Sequence, residues 1–236
     1  MADASDTAQY PATFSALLLD LDGTLVDTAP DMVRVLDTLC DECGVVRVPY
    51  VRARNRISNG VYALLALAFG KLSDQEAAGL RTRYLSHYRS NLAQRSQLFE
   101  GVAELLHELD ELAVPWGVVT NKPSAYTEPL LATLGVAQRA KCMVSGDTTA
   151  HQKPHPEPLL AASRAMRVMA AECLFVGDAE IDIQAGKAAG MFTVAAAYGY
   201  IEQPEQVPGW RADAVIQDPL ELRRWFSTES SVLARK

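Results

Sequence analysis

Asp20-Leu21-Asp22-Gly23-Thr24-Leu25-Val26-Asp27-Thr28 follows directly on the apolar run Leu17-Leu18-Leu19. A short apolar run of this kind reads as a buried strand. Two carboxylates then sit at its C-terminal tip, spaced i and i+2, so both side chains leave the strand on the same side. Gly23 lets the chain turn sharply away. Core building asks for no acid at such a place. Two like charges about 4 Å apart repel by ~4 kcal/mol at an effective dielectric of ~20. A turn with two solvated acids is the plain reading. A site in which a divalent cation offsets the repulsion is the chemical one.

Working outward, further short apolar runs are expected as strands at Trp116 to Val119, Cys142 to Val144, Leu174 to Val176 and Thr193 to Ala196. Helical periodicity separates most of them. Val102, Leu105, Leu106, Leu109 and Leu112 recur at helical spacing before the second strand, and Gly190 closes a helix over Gly186 to Ala189. Alternation of this kind predicts an α/β fold, a Rossmann-like parallel sheet with helices on both faces. One stretch departs from it. Residues 28–96 carry no strand signal, only helices. Pro30 opens the first, whose apolar stripe is Met32, Val33, Leu36, Leu39 and Cys40. Ser73 and Glu76 form a capping box for another, with Leu80, Tyr84, Tyr88 and Leu92 as its stripe. The expected division is a tail at 1–12, a core of 13–27 and 97–236, and a helical unit at 28–96.

Three other segments carry chemistry. Thr120-Asn121-Lys122 ends the second strand, where a hydroxyl and the amides beyond it can donate to a phosphate oxygen. A turn needing small polar residues is the plain alternative. Lys153-Pro154-His155-Pro156 places a lysine just before a helix, able to aim its ammonium at the same strand tips or to lie at the surface. His151 and His155 flank it and read as loop or helix-capping residues. Phe175-Val176-Gly177-Asp178-Ala179-Glu180-Ile181-Asp182 repeats the pattern of a buried strand ending in acid. An N-cap explains one of Asp178 and Asp182, not both.

Composition narrows the function classes. The 236 residues carry a net charge of −7, with 49% apolar and 22% charged residues. An acidic chain lacks the basic footprint of a nucleic-acid binder. No stretch reaches the ~18 apolar residues of a membrane span. The start, Met1 to Pro11, is polar and acidic, unlike a signal peptide, and is expected to be disordered. Cys40, Cys43, Cys142 and Cys173 are expected to be reduced and mostly buried in a cytoplasmic protein. Cys40 and Cys43 form a CxxC, but no second pair at zinc spacing follows.

Taken together, DxDGTLxDT at 20–28, Thr120, KPxP at 153–156 and GDxxxD at 177–182 resemble the four motifs of the haloacid dehalogenase superfamily. The resemblance runs from about Phe14 to Phe226. It implies a phosphoryl-transfer enzyme in which Asp20 is the nucleophile and forms an aspartyl-phosphate, and Asp22 is the general acid/base. It implies that Lys153 counters negative charge and that Thr120 and Asn121 bind phosphate. It further implies a Mg²⁺ ion held by Asp20, the Asp22 carbonyl and Asp178, with Asp182 in support. Many relatives have Ser after the fourth motif's first Asp, where this chain has Ala179. The helical insert after strand one corresponds to the superfamily's all-α C1 cap. No role is assigned to Lys122.

The segment Arg56-Ile57-Ser58-Asn59-Gly60 partially resembles the xGNG cap loop of bacterial phosphoglycolate phosphatases, so Arg56, Ser58, Asn59 and Gly60 are expected to meet the substrate. The expected reaction is hydrolysis of a small phosphorylated metabolite, 2-phosphoglycolate first. N-acetylmuramic acid 6-phosphate is the alternative, because phosphatases of that compound are closely similar. A β-phosphoglucomutase-like transfer back to sugar shares the motifs. A non-catalytic receiver-like switch also uses a strand-tip Asp, Thr and Lys, but lacks the helical insert and an acid at the position of Asp22. Neither a membrane nor a nucleic acid is expected as partner, and the oligomeric state is not legible.

Overall fold

The computed structural model describes residues 13–226, and the expected tail at 1–12 lies outside them. Six strands form one parallel sheet. They are β1 (Ala16–Leu19), β4 (Trp116–Val119), β5 (Cys142–Val144), β6 (Cys173–Gly177), β7 (Phe192–Ala196) and β8 (Ala214–Ile216), in the spatial order β5-β4-β1-β6-β7-β8. β1 pairs with β4 on one side and β6 on the other. Its side chains alternate across the sheet as a strand requires. Leu17 and Leu19 enter an apolar cluster with α5 (Val102–Glu111) and α6 (Ser124–Thr133). Ala16 and Leu18 enter the opposite cluster with α7 (Glu157–Met166) and α8 (Glu180–Ala188). Burying each of these leucines contributes about 2 kcal/mol.

The chain runs outward from β1 to β4 and β5, then crosses back to β6 on the other side. The C-terminal ends of β1, β4 and β6 therefore meet at a topological switch point, where ligands bind in open α/β sheets.

Between β1 and β4 stands the helical stretch. It leaves and returns through a two-stranded antiparallel ribbon, β2 (Val26–Asp27) with β3 (Gln97–Leu98). Helices α1 (Ala29–Cys43), α2 (Tyr50–Arg54), α3 (Val61–Phe69) and α4 (Asp74–Ser90) pack around their own apolar cluster. The stripe of α1 is buried against Leu64, Leu65, Tyr84 and Tyr88. Ser73 and Glu76 form the expected capping box on α4. Asp31, on the first turn of α1, is fully buried. It accepts hydrogen bonds from Arg95 N, Ser96 N and Ser96 Oγ at 2.7–3.1 Å, and pairs with Arg34 at 3.1 Å. One carboxylate thus ties the start of the helical stretch to its end.

The four cysteines are unpaired, but only Cys40 and Cys173 are buried. Cys43 is the last residue of α1, turned out beside the Gly44 cap, and Cys142 is half-buried. Among the described residues no helix is long and apolar enough to cross a membrane.

Candidate active site

Asp20 directly follows β1 and is almost fully buried. Lys153 reaches it from the loop before α7, with Nζ 2.7 Å from Asp20 Oδ1 and 2.7 Å from Asp182 Oδ1, and donates to Val119 O at 2.9 Å. The placement of Lys153 is fixed by Asn121. Its amide accepts from Lys153 N at 3.0 Å and donates to Lys153 O at 2.9 Å. The side chain of Asn121 is thereby engaged with the loop. That leaves its backbone N–H as the group able to reach a phosphate. Thr120 directly follows β4, is buried, and accepts from Lys122 N at 3.2 Å.

Asp22 is turned away from Asp20's partners. Thr28 Oγ1 donates to its Oδ1 at 2.6 Å, and Lys122 Nζ donates to both oxygens at 3.0 and 3.1 Å. The Lys122 ammonium also lies 4.6 Å from the ring centre of Tyr88 on α4. Burial works against the charge of Lys122, but Asp22 and Tyr88 together outweigh it and raise its pKa. Lys153 is raised likewise, by Asp182 and Asp20 against burial.

Asp178 follows the tip of β6 and is packed closely against two glycines. A Cβ on Gly23, whose φ is +87°, would stand 2.1 Å from Asp178 Oδ2, and one on Gly199 would stand 2.3 Å from Asp178 Cβ. Its Oδ2 accepts from Tyr200 N and from Ser58 Oγ, both at 2.8 Å. Asp182, on the first turn of α8, accepts from Ala179 N at 3.0 Å.

The ligand oxygens of Asp20, Asp178 and Asp182 lie within 4.8 Å of one another. Burial, with Asp20 and Asp182 adding repulsion, pushes Asp178 up to about 8. Burial also pushes Asp20 to about 6, with Lys153 opposing. Crowded buried carboxylates with raised pKa values are short of positive charge. An all-oxygen donor set of this kind fits a hard divalent cation such as Mg²⁺.

Above these strand tips opens a cleft of about 890 Å³, walled by the sheet on one side and the helical stretch on the other. Arg56, Ser58, Asn59 and Gly60 all line it, with Ser58 and Asn59 on a short 3₁₀ turn that Gly60 leaves at φ +86°. Arg56 Nε stands 3.0 Å from Glu202 across the cleft, and Ser58 reaches Asp178 itself. Three contributors were not assigned from the sequence: Lys122, Thr28 and Glu202. A lysine directly after Thr120-Asn121 and a hydroxyl closing the first motif were the available signals for two of them; Glu202 offered none.

The family model described as haloacid dehalogenase-like hydrolase matches residues 17–196. Among curated proteins, the chain is 42% identical over 212 residues to an N-acetylmuramic acid 6-phosphate phosphatase of Pseudomonas putida, covering 89% of this chain and 94% of that one. It is 40% identical over 207 residues to a phosphoglycolate phosphatase of Xanthomonas campestris pv. campestris, covering 88% and 94%. Among solved structures, one described as a predicted phosphoglycolate phosphatase from Haemophilus somnus superposes with a TM-score of 0.77 at 26% identity, covering 93% of this chain and 98% of that one.

Proposed function

Since the chain belongs to the haloacid dehalogenase-like hydrolase family and is a phosphatase, we propose that it cleaves a carboxylate-bearing phosphomonoester with Asp20 as nucleophile and Asp22 as acid/base. The observation that carries this reading is the contrast between the two acids. Asp20 faces Lys153, whereas Asp22, two residues on, is held aside by Thr28 and Lys122. Two carboxylates at one strand tip with different partners can divide two roles.

In the first half-reaction an Asp20 oxygen attacks phosphorus, the ester P–O bond breaks, and Asp22 gives its proton to the leaving oxygen. In the second, Asp22 takes a proton from water, which attacks the aspartyl-phosphate and frees inorganic phosphate. The Lys153 ammonium offsets negative charge at Asp20, and Thr120 Oγ1 with the Asn121 N–H hold phosphate oxygens. Asp182 fixes Lys153 and so sets the position of that ammonium. Mg²⁺, held by Asp20, Asp178 and the Asp22 carbonyl with Asp182 in support, would offset charge on the transferred group. Residues 28–96 act as a cap whose turn at 56–60 meets the leaving group. Four unpaired thiols suit a reducing cytoplasm.

For the leaving group we favour the sugar acid of N-acetylmuramic acid 6-phosphate. A cleft of about 890 Å³ lies in the range that encloses drug-sized ligands. Arg56 and Arg81 offer cations for a carboxylate, and Tyr62 and Trp210 offer flat faces for a ring. The second reading, 2-phosphoglycolate, rests on relatives carrying that name. Phosphate release from both compounds, measured side by side at subsaturating concentration, decides. A kcat/KM about a hundredfold higher for the sugar phosphate, ~2.7 kcal/mol at the transition state, is expected; the reverse order overturns the choice. Asp20→Asn should abolish release from either, and a variant near the wild-type rate would sink the mechanism.

A further inference from the structure

We propose that His151, His155 and Glu157 form a second metal site, outside the cleft, that takes a borderline divalent ion such as Zn²⁺, Ni²⁺ or Cu²⁺ in preference to Mg²⁺. The three side chains each bring one ligand atom to within 4.8 Å of the others. Tetrahedral coordination with bonds of about 2.0–2.1 Å sets ligand atoms ~3.4 Å apart, so the imidazoles need to turn only slightly. His151 and His155 are exposed, and each turns at the cost of one hydrogen bond, His151 Nδ1 to Glu157 Oε2 and His155 Nδ1 from Glu157 N.

A helix-start ion pair explains only part of this arrangement. His151 Nδ1 lies 2.7 Å from Glu157 Oε2, at the first residue of α7, and that contact holds Glu157 below the usual carboxylate range. The second imidazole has no part in that pair. It stacks on the first with ring centres 4.2 Å apart, and its Nδ1 accepts from Glu157 N at 3.2 Å, so that nitrogen carries a lone pair. Two imidazoles and one carboxylate present nitrogen donors that Mg²⁺ does not seek and borderline ions do. The buried cluster at Asp20 offers oxygen alone.

The main chain that carries these ligands is held before any ion arrives. Thr149 Oγ1 donates to His151 O at 2.7 Å, and Gln152 Nε2 to Gly146 O at 2.7 Å. Between the histidines, both main-chain polar groups of Lys153 are held by Asn121. A main chain already ordered by other bonds lowers the ordering cost of binding.

The test uses untagged full-length protein with Cu²⁺ as probe, because electron paramagnetic resonance reads nitrogen coupling at one site and none at an all-oxygen site. Wild type should show coupling to imidazole nitrogen. The double variant His151→Ala/His155→Ala should lose it and bind Ni²⁺ about tenfold or more weakly by calorimetry, while Mg²⁺-dependent phosphate release stays at the wild-type rate and reports an intact fold. A wild-type spectrum without nitrogen coupling, or coupling and Ni²⁺ affinity unchanged in the double variant, overturns the proposal.

Discussion

Lys122 donates to both carboxylate oxygens of Asp22, at 3.0 and 3.1 Å, while its ammonium rests 4.6 Å from the ring centre of Tyr88. Asp22, the proposed acid/base residue at the β1 tip, is thus positioned by a residue of the β4 tip, under an aromatic ring of α4. Lys122→Met should leave the phosphate-binding groups in place and misplace the proton donor. General-acid help matters most for a poor leaving group. We expect kcat on an alkyl phosphate to fall about a hundredfold, and on an aryl phosphate with a good leaving group about tenfold at most. Equal losses on both would show that Lys122 only supports the fold.

Metal-free protein should lose stability as pH rises. Asp178 is pushed from 3.8 up to about 8 and Asp20 to about 6. A carboxyl with a raised folded pKa contributes stability that is fully present below its unfolded value and is lost as pH rises through the folded one. Melting temperatures in chelator should therefore fall between about pH 4 and pH 8. Mg²⁺ should raise them most at the upper end. Asp178→Asn removes the buried charge and should flatten the profile and shrink the Mg²⁺ gain. A wild-type profile already flat in chelator would refute the assignment.

Arg56 and Glu202 form an ion pair that is more than a third exposed on each side. Such a pair contributes about 0–1 kcal/mol, so the carboxylate of the proposed substrate could displace Glu202 at little cost. Arg56→Ala should lower kcat/KM for the carboxylate substrate about tenfold to a hundredfold and leave aryl phosphate hydrolysis unchanged. Glu202→Gln should lower KM for the same substrate. Parallel losses on both substrates in Arg56→Ala would mean that the turn at 56–60 serves packing alone.

Asp31 should be the most costly polar side chain to remove from the helical stretch. Burial pushes its carboxyl up, but donation from Arg95 N, Ser96 and Arg34 outweighs this and brings it below 3.8. Its contribution is present above the unfolded pKa and lost as pH falls through the lower folded value. Asp31→Ala strands the donors at 95–96 and should cost about 3 kcal/mol in urea unfolding at pH 7. A loss within about 0.5 kcal/mol would show that water replaces the carboxylate.

The strands legible in the sequence are those with a recognisable apolar run, β1, β4, β5, β6 and β7, and three of them, β1, β4 and β6, end in chemistry. β8 escaped as an edge strand whose middle residue, Val215, is exposed. The β2–β3 ribbon is two residues per strand, too short for any periodicity. The catalytic candidates sit in local patterns, so their convergence could be anticipated. What could not be was which side chain meets which across long separations. Asn121 and Lys153 are 32 residues apart, and Ser58 and Asp178 are 120 apart. Arg56 was expected to point at substrate. The sequence marks no residue as its resting partner, because Glu202 lies in a loop without pattern.

Tyr200 takes part in three regions at once. Its hydroxyl donates to Asp27 at 2.7 Å and accepts from Ala29 N at 2.9 Å. Its amide donates to Asp178, and its ring lies 4.7 Å from the guanidinium carbon of Arg54, which also donates to Gly199 O at 3.1 Å. New specificity in an enzyme of this shape is most simply made by exchanging the helical stretch for another. Any such graft inherits a socket built for a guanidinium. A replacement lacking an arginine at the place of Arg54 would leave the Gly199 carbonyl and the Tyr200 ring without their cation. The cost would then be felt at Asp178, through the same residue, rather than at the seam where the graft was made.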